Sequence, residues 1–113
     1  MLITKLKSKI HKAVVTDTNL RYEESCAISK DLLEAANIQE YEQVHIYNIN
    51  NGKRFTTYAI ISDELGTISI RGSAARKVIT GDTIIICTYC QVPFENEHMP
   101  IRVYVNEKNE LFK

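Results

Sequence analysis

The sequence predicts a mainly β fold: a small closed or half-closed barrel with one or two short helices. Three observations predict it. About six or seven short runs are rich in β-branched and aromatic residues. Two of these runs flank Asn50-Asn51-Gly52, the strongest hairpin signal in the chain. Only Leu32, Leu33 and Ala36 clearly share one face at helical spacing. A barrel accommodates many short strands in one domain without open sheet edges.

Ile3 to Lys9 alternates in part, and Ala13-Val14-Val15-Thr16 is β-branched, so both read as strands. Asp17-Thr18-Asn19 has turn chemistry. Ser29 or Asp31 is placed to cap the helix that carries Leu32, Leu33 and Ala36, and Asn37 is placed to stop it. Val44–Ile49 alternates with period two, and Arg54–Ile60 is the second arm of the hairpin. Thr67–Ile70 is a short strand. Gly72–Lys77 reads as a turn entering a short helix. Gly81-Asp82 turns into a buried strand at Thr83–Cys90, and Ile101–Val105 is the last strand before the polar turn Asn106–Asn109.

The chain has 113 residues, 14 Lys+Arg against 14 Asp+Glu, 44% hydrophobic and 25% charged residues. These values fit one globular domain over residues 1–113, large enough to fold without a staple. Zero formal charge disfavours a nucleic-acid partner, which calls for a basic footprint. No window approaches 18 apolar residues, so no membrane span is expected. The start, MLITKLKSKIHK, breaks its apolar residues with lysines and lacks a signal-peptide core. A cytoplasmic location is the plain expectation. Cys26, Cys87 and Cys90 are an odd number of thiols, which argues against a disulfide framework. Cys87 and Cys90 form a C-x-x-C, but His11, His45, His98 and Cys26 supply no second paired motif. The pair lies in a β-rich run where cysteine serves as a small hydrophobe, so no metal is expected.

Composition and periodicity do not reach a function. Lys9 and His11 share a face of an early strand, Tyr22, Ser25 and Cys26 precede the helix, and Arg54, Thr57 and Tyr58 follow the hairpin. Each has an ordinary explanation. Basic residues on strands usually face water, Thr-Tyr is good β composition, and Ser25 sits in no Gly-x-Ser-x-Gly elbow.

Several ordered blocks carry more. Ser8-Lys9-Ile10-His11-Lys12-Ala13, Thr16 to Tyr22, and Ser25-Cys26-Ala27-Ile28 resemble the opening of the bacterial aspartate 1-decarboxylase family. Asn51 to Ile60 is the most distinctive match, and Gly72 to Arg76 and Gly81-Asp82 follow in order. The resemblance runs from Met1 to about Val105. It implies a double-psi β-barrel, a homotetramer, and active sites between neighbouring subunits. It implies a proenzyme that cuts itself between residues 24 and 25, giving chains 1–24 and 25–113, with Ser25 becoming a pyruvoyl group. The implied reaction turns L-aspartate into β-alanine and carbon dioxide, for pantothenate synthesis. The cofactor ketone forms a Schiff base with the substrate amine and takes up the electrons left by the departing carboxylate.

The resemblance also implies residue roles. Ser25 attacks the Glu24 carbonyl and Thr57 assists. Tyr58 returns a proton to the substrate carbanion. Arg54 and Lys9 hold carboxylates, and Gly72, Ser73 and Ala74 line the substrate pocket with backbone. His11 and Tyr22 shape the site. Three positions depart from the family pattern: Glu24 for glycine, Arg71 for asparagine and Ser73 for alanine. A side chain at position 24 is expected to hinder any backbone with positive φ there. Arg71 is larger and donates only. Glu24 and Arg71 motivate the alternatives: an unprocessed or non-catalytic barrel acting as a binding or regulatory module, or a precursor that needs a maturation factor.

Overall fold

Leu2–Val14 forms one long strand, β1, in the computed structural model, which describes residues 1–112. Its register against the strand Thr83–Pro93 shifts between Leu6 and Ser8 and again between Ile10 and Ala13. Lys12 has φ 61° in the second irregularity. Such bulges bend a strand and break its alternation. That is why the sequence reads as two strands what the fold makes one.

The chain continues through β2 (Asp17–Asn19), β3 (Ser25–Ser29), the helix α1 (Lys30–Ala36), β4 (Gln43–Asn48), β5 (Arg54–Ser62) and β6 (Ile68–Arg71). A 3-10 turn at Gly72–Lys77, β7 (Thr83–Pro93) and β8 (Ile101–Tyr104) complete it. The strands lie in the order β2-β6-β3-β5-β4-β7-β1-β8. Only Val15 and Thr16 separate β1 from β2, so the sheet curls back on itself. Thr16 fastens the closure: its amide donates to the Ile68 carbonyl at 2.8 Å, and its Oγ1 accepts from the Ile68 amide at 2.9 Å. The pairs β1·β8, β2·β6 and β3·β5 are parallel and the rest antiparallel. Parallel neighbours need crossover connections, so this small β-barrel is not a simple meander.

Eight strands form instead of six or seven. Asp17–Asn19 is a strand rather than a turn, because it pairs with Ser69–Arg71 and Asp17 accepts the Ser69 hydroxyl at 3.0 Å. Ser25–Ser29 is a strand buried along its whole length between β5 and β6. A strand buried on both faces loses the alternation that a sequence reading relies on.

The hairpin forms as expected, with Gly52 at φ +75° in its turn. In α1, Leu32, Leu33 and Ala36 are buried, and Asn37 ends the helix at φ 55°. Its amide is bonded back into the last turn. The expected N-cap is not made: Ser29 offers no side-chain bond to the helix, and its hydroxyl is buried without a partner. Inside the barrel, Ile10, Ile28, Ile46, Ile68, Ile70, Ile84 and Ile86 are fully buried.

Candidate active site

Ser25 opens β3 and pairs across β6 with Arg71. On the other side β3 runs parallel to β5, with Cys26 opposite Ala59. That register sets Ser25 beside Tyr58. In β5, Thr57 and Ala59 point into the barrel, while Arg54, Thr56 and Tyr58 lie on the outer face. A cleft of about 470 Å³ opens there, lined by Arg21, Tyr22, Glu23, Ser25, Tyr41, Tyr58, Ile60 and Arg71. The Tyr58 ring leans on Tyr41 with centroids 6.2 Å apart, and the Arg71 guanidinium lies 5.0 Å from the Tyr22 ring centre.

The Ser25 hydroxyl donates to the Glu23 carbonyl at 3.1 Å, two residues back. The peptide between Glu24 and Ser25 is held at both ends. On one side Ser25 is fixed in the β3·β6 ladder, and its neighbour Cys26 in the β3·β5 ladder. On the other, the Glu24 carboxylate accepts from the Ser73 amide (2.8 Å), the Ser73 hydroxyl (2.7 Å) and the Ala74 amide (3.2 Å). Gly72 makes this possible. At φ +79°, it lies so close that a Cβ would stand 2.7 Å from the Glu24 Cα and 2.8 Å from its nitrogen. Glu24 itself does not have positive φ. The hindrance expected from a side chain at position 24 is therefore absent from the uncut chain. Two departures from the family pattern, Glu24 and Ser73, turn out to be one contact.

Thr57 is buried, and its Oγ1 has no hydrogen-bond partner. Continuing the β3·β5 register one step before Cys26 and Ser25 brings Thr57 to the level of Glu24.

The remaining sequence candidates lie elsewhere in the protomer. Arg54 is exposed, with its guanidinium 4.6 Å from the Tyr47 ring centre. Lys9 pairs with Cys87 and Arg102, three strands away from β5. His11 packs edge-on against Tyr104, 5.8 Å between centroids, and its Nδ1 is buried without a partner. Burial lowers its pKa, and Lys9 and Lys12 lower it further. None of Lys9, His11 and Arg54 lines the cleft.

Sequence reasoning missed Arg21, Glu23, Tyr41 and Ile60 as cleft residues. Arg21 and Glu23 flank Tyr22, so the block that carries the resemblance was the available signal. Tyr41, at φ 70° between α1 and β4, left none. Among the described residues, no group of three metal-binding side chains occurs, and no helix is long and apolar enough to cross a membrane.

Burial pushes the Cys26 thiol up to about 12, opposed by the Arg71 charge. The cleft that holds Ser25 therefore contains a hydroxyl, three phenols and two guanidiniums, with Glu23 its one carboxylate. That set suits an anionic ligand and a proton donor.

The sequence profile of the family described as aspartate decarboxylase matches residues 1–112. The chain is 62% identical over 94 residues to an aspartate 1-decarboxylase of Albidiferax ferrireducens, covering 82% of this chain and 70% of that protein. It is 54% identical over 112 residues to aspartate 1-decarboxylase 2 of a Polaromonas species, covering 96% and 89%. An aspartate 1-decarboxylase of Nitrosococcus oceani is 52% identical over 114 residues, at the same coverage.

Proposed function

The chain belongs to the aspartate decarboxylase family, and on that premise we propose that it is a self-processing enzyme converting L-aspartate to β-alanine and carbon dioxide. The observation that carries this reading is Ser25, the one serine lining the cleft, placed beside Tyr58 at a peptide bond anchored on both sides.

In the proposed maturation, Ser25 Oγ attacks the Glu24 carbonyl carbon, and the amide becomes an ester. Elimination then releases residues 1–24 with a carboxylate and leaves a dehydroalanine at position 25. Water replaces its nitrogen, ammonia departs, and a pyruvoyl group remains. The residues present fit that group: Ser25 starts a strand, is buried, and opens onto the cleft. Thr57 suits assistance, because its inward hydroxyl is unspent and the register brings it level with Glu24.

Bound in this site, the pyruvoyl group supplies an electrophilic ketone and an electron sink. Tyr58 then delivers a proton to the carbon that loses carboxylate. Gly72, Ser73 and Ala74 adjoin the cleft, with the Ser73 and Ala74 amides engaged by the Glu24 carboxylate. Neither Arg54 nor Lys9 lines the cleft: Lys9 lies three strands from β5, and Arg54 precedes Tyr58 along the same face of β5; a neighbouring copy is the proposed source of both. A homotetramer with sites between subunits provides that copy. A cytoplasmic location belongs to the same reading.

The experiment is to incubate the purified protein with L-aspartate and measure β-alanine and carbon dioxide. Wild type releases both, and Ser25→Ala releases neither. Tyr58→Phe matures but turns over about 10²–10⁴-fold more slowly, the usual loss for a missing general acid. Equal turnover by Ser25→Ala overturns the proposal. If wild type is cut only when host-cell extract is added, a maturation factor is part of the system. Family membership favours the enzyme over a non-catalytic barrel. Glu24 and Arg71, which motivated that alternative, leave the cleft open.

A further inference from the structure

We infer that Arg71 binds the side-chain carboxylate of the substrate in the Ser25 cleft and thereby selects a dicarboxylic acid. The inference rests on the reaction proposed above and adds a residue to it.

Arg71 is the ladder partner of Ser25, is half-buried, and lines the same cleft as Ser25 and Tyr58. Its position is set from two directions. Its Nε donates to Ser69 Oγ at 3.4 Å, and Ser69 is itself bonded to Asp17. Its plane lies over Tyr22. These contacts leave both terminal nitrogens without a hydrogen-bond partner among the described residues. No carboxylate stands within ion-pair distance of it either, since the one such pair among those residues is Lys7–Glu42.

The nearby acids do not compensate it. Glu24 is committed to Ser73 and Ala74, Glu23 is exposed, and Asp17 reaches Arg71 only through the Ser69 hydroxyl that it accepts. A half-buried guanidinium has lost hydration and gained no counter-charge. Its free edge presents parallel N–H donors whose best complement is a carboxylate held by two bonds. The exposed Arg21 adds a second positive charge to the same cleft.

Which carboxylate follows from the chemistry. The α-carboxylate must leave as neutral carbon dioxide, so a cation clamped on it would stabilise the ground state and slow the step; Arg71 is assigned to the other carboxylate, in addition to Arg54 and Lys9. The side-chain carboxylate keeps its charge throughout, and binding it costs the reaction nothing. An asparagine at position 71 would give one amide hydrogen bond. Arginine gives charge and a fork.

The test uses succinate, a dicarboxylate without the reacting amine, titrated calorimetrically into the full-length Ser25→Ala protein. That protein keeps the 24–25 bond, so the readout does not depend on cleavage. Failure of wild type to cut or to decarboxylate tells against the proposed reaction, not against this titration. Succinate is expected to bind saturably, and propionate, with one carboxylate, far more weakly. Adding Arg71→Gln is expected to weaken succinate at least about tenfold, the scale of a lost charged hydrogen-bond pair. Arg71→Lys keeps the charge without the fork and is expected to lose several-fold. It decides the matter should the glutamine variant unfold on heating earlier than its parent. No saturable succinate binding, or an unchanged Kd in the variants that fold, overturns the inference.

Discussion

Glu24 is where a single side chain most changes the reading. A residue with a side chain before the cut was expected to resist processing. The fold instead uses that side chain as an anchor, with three hydrogen bonds to Ser73 and Ala74. The peptide proposed to be cut thus lies between two fixed points, and holding reacting groups in place is itself a source of rate. Glu24→Ala should slow the appearance of the two chains, by roughly tenfold for lost charged bonds. Ser73→Ala should slow it less, and the two effects should not add. Time courses on denaturing gels check this, and faster cleavage by Glu24→Ala would remove the anchoring argument. Nothing at the sequence level joined Glu24 to Ser73, because the contact crosses from the segment before β3 to the turn after β6. Cys26 offers a second check at this scale. Its thiol is buried and pushed up to about 12, so a thiol reagent at pH 8 should label Cys90 in the folded protein and spare Cys26 until denaturant is added.

Elements in this barrel are held by polar ties as well as by the aliphatic core. Asn109 is nearly fully buried at φ 59°, and its side chain bonds the Val14 amide, the Val14 carbonyl and the Gly66 carbonyl. Asn109→Ala would orphan three backbone groups and should cost on the order of 3 kcal/mol, measured as a drop in the urea midpoint. His11 ties stability to pH. Its pKa is lowered by burial and by Lys9 and Lys12, so the folded state resists protonating it. Its contribution is whole above the ordinary histidine value of 6.5 and is lost as pH falls below it. His11→Gln should flatten that acid-side loss. The hairpin, β7 and α1 were legible because their periodicity and turn residues agree with their burial. β2 and β3 were not, since a three-residue pairing and a strand buried on both faces leave no alternation. The two bulges of β1 hid one strand as two for the same reason.

At the scale of the whole molecule, the site candidates divide into those that share a cleft and those that do not. Ser25, Tyr22, Tyr58 and Arg71 meet in one cleft, and Glu24 with Gly72, Ser73 and Ala74 adjoins it. Lys9, His11 and Arg54 do not line that cleft. Residue identity made all of them legible as candidates through the resemblance. The sequence carried no sign of which would share a cleft, because that depends on strand order and on neighbouring copies. If Arg54 serves a neighbour's cleft, mixed assemblies of Ser25→Ala and Arg54→Ala chains should regain activity that neither parent has. Activity no greater than that of the separate parents would place Arg54 outside the shared site. All of this depends on Ser25 turning into a ketone, and an intact-mass spectrum of the purified protein tests that most directly. The account predicts two chains, 1–24 and 25–113, the larger lighter by one ammonia than a chain beginning with serine. A single uncut chain after prolonged incubation, with host-cell extract as well as without it, would contradict it.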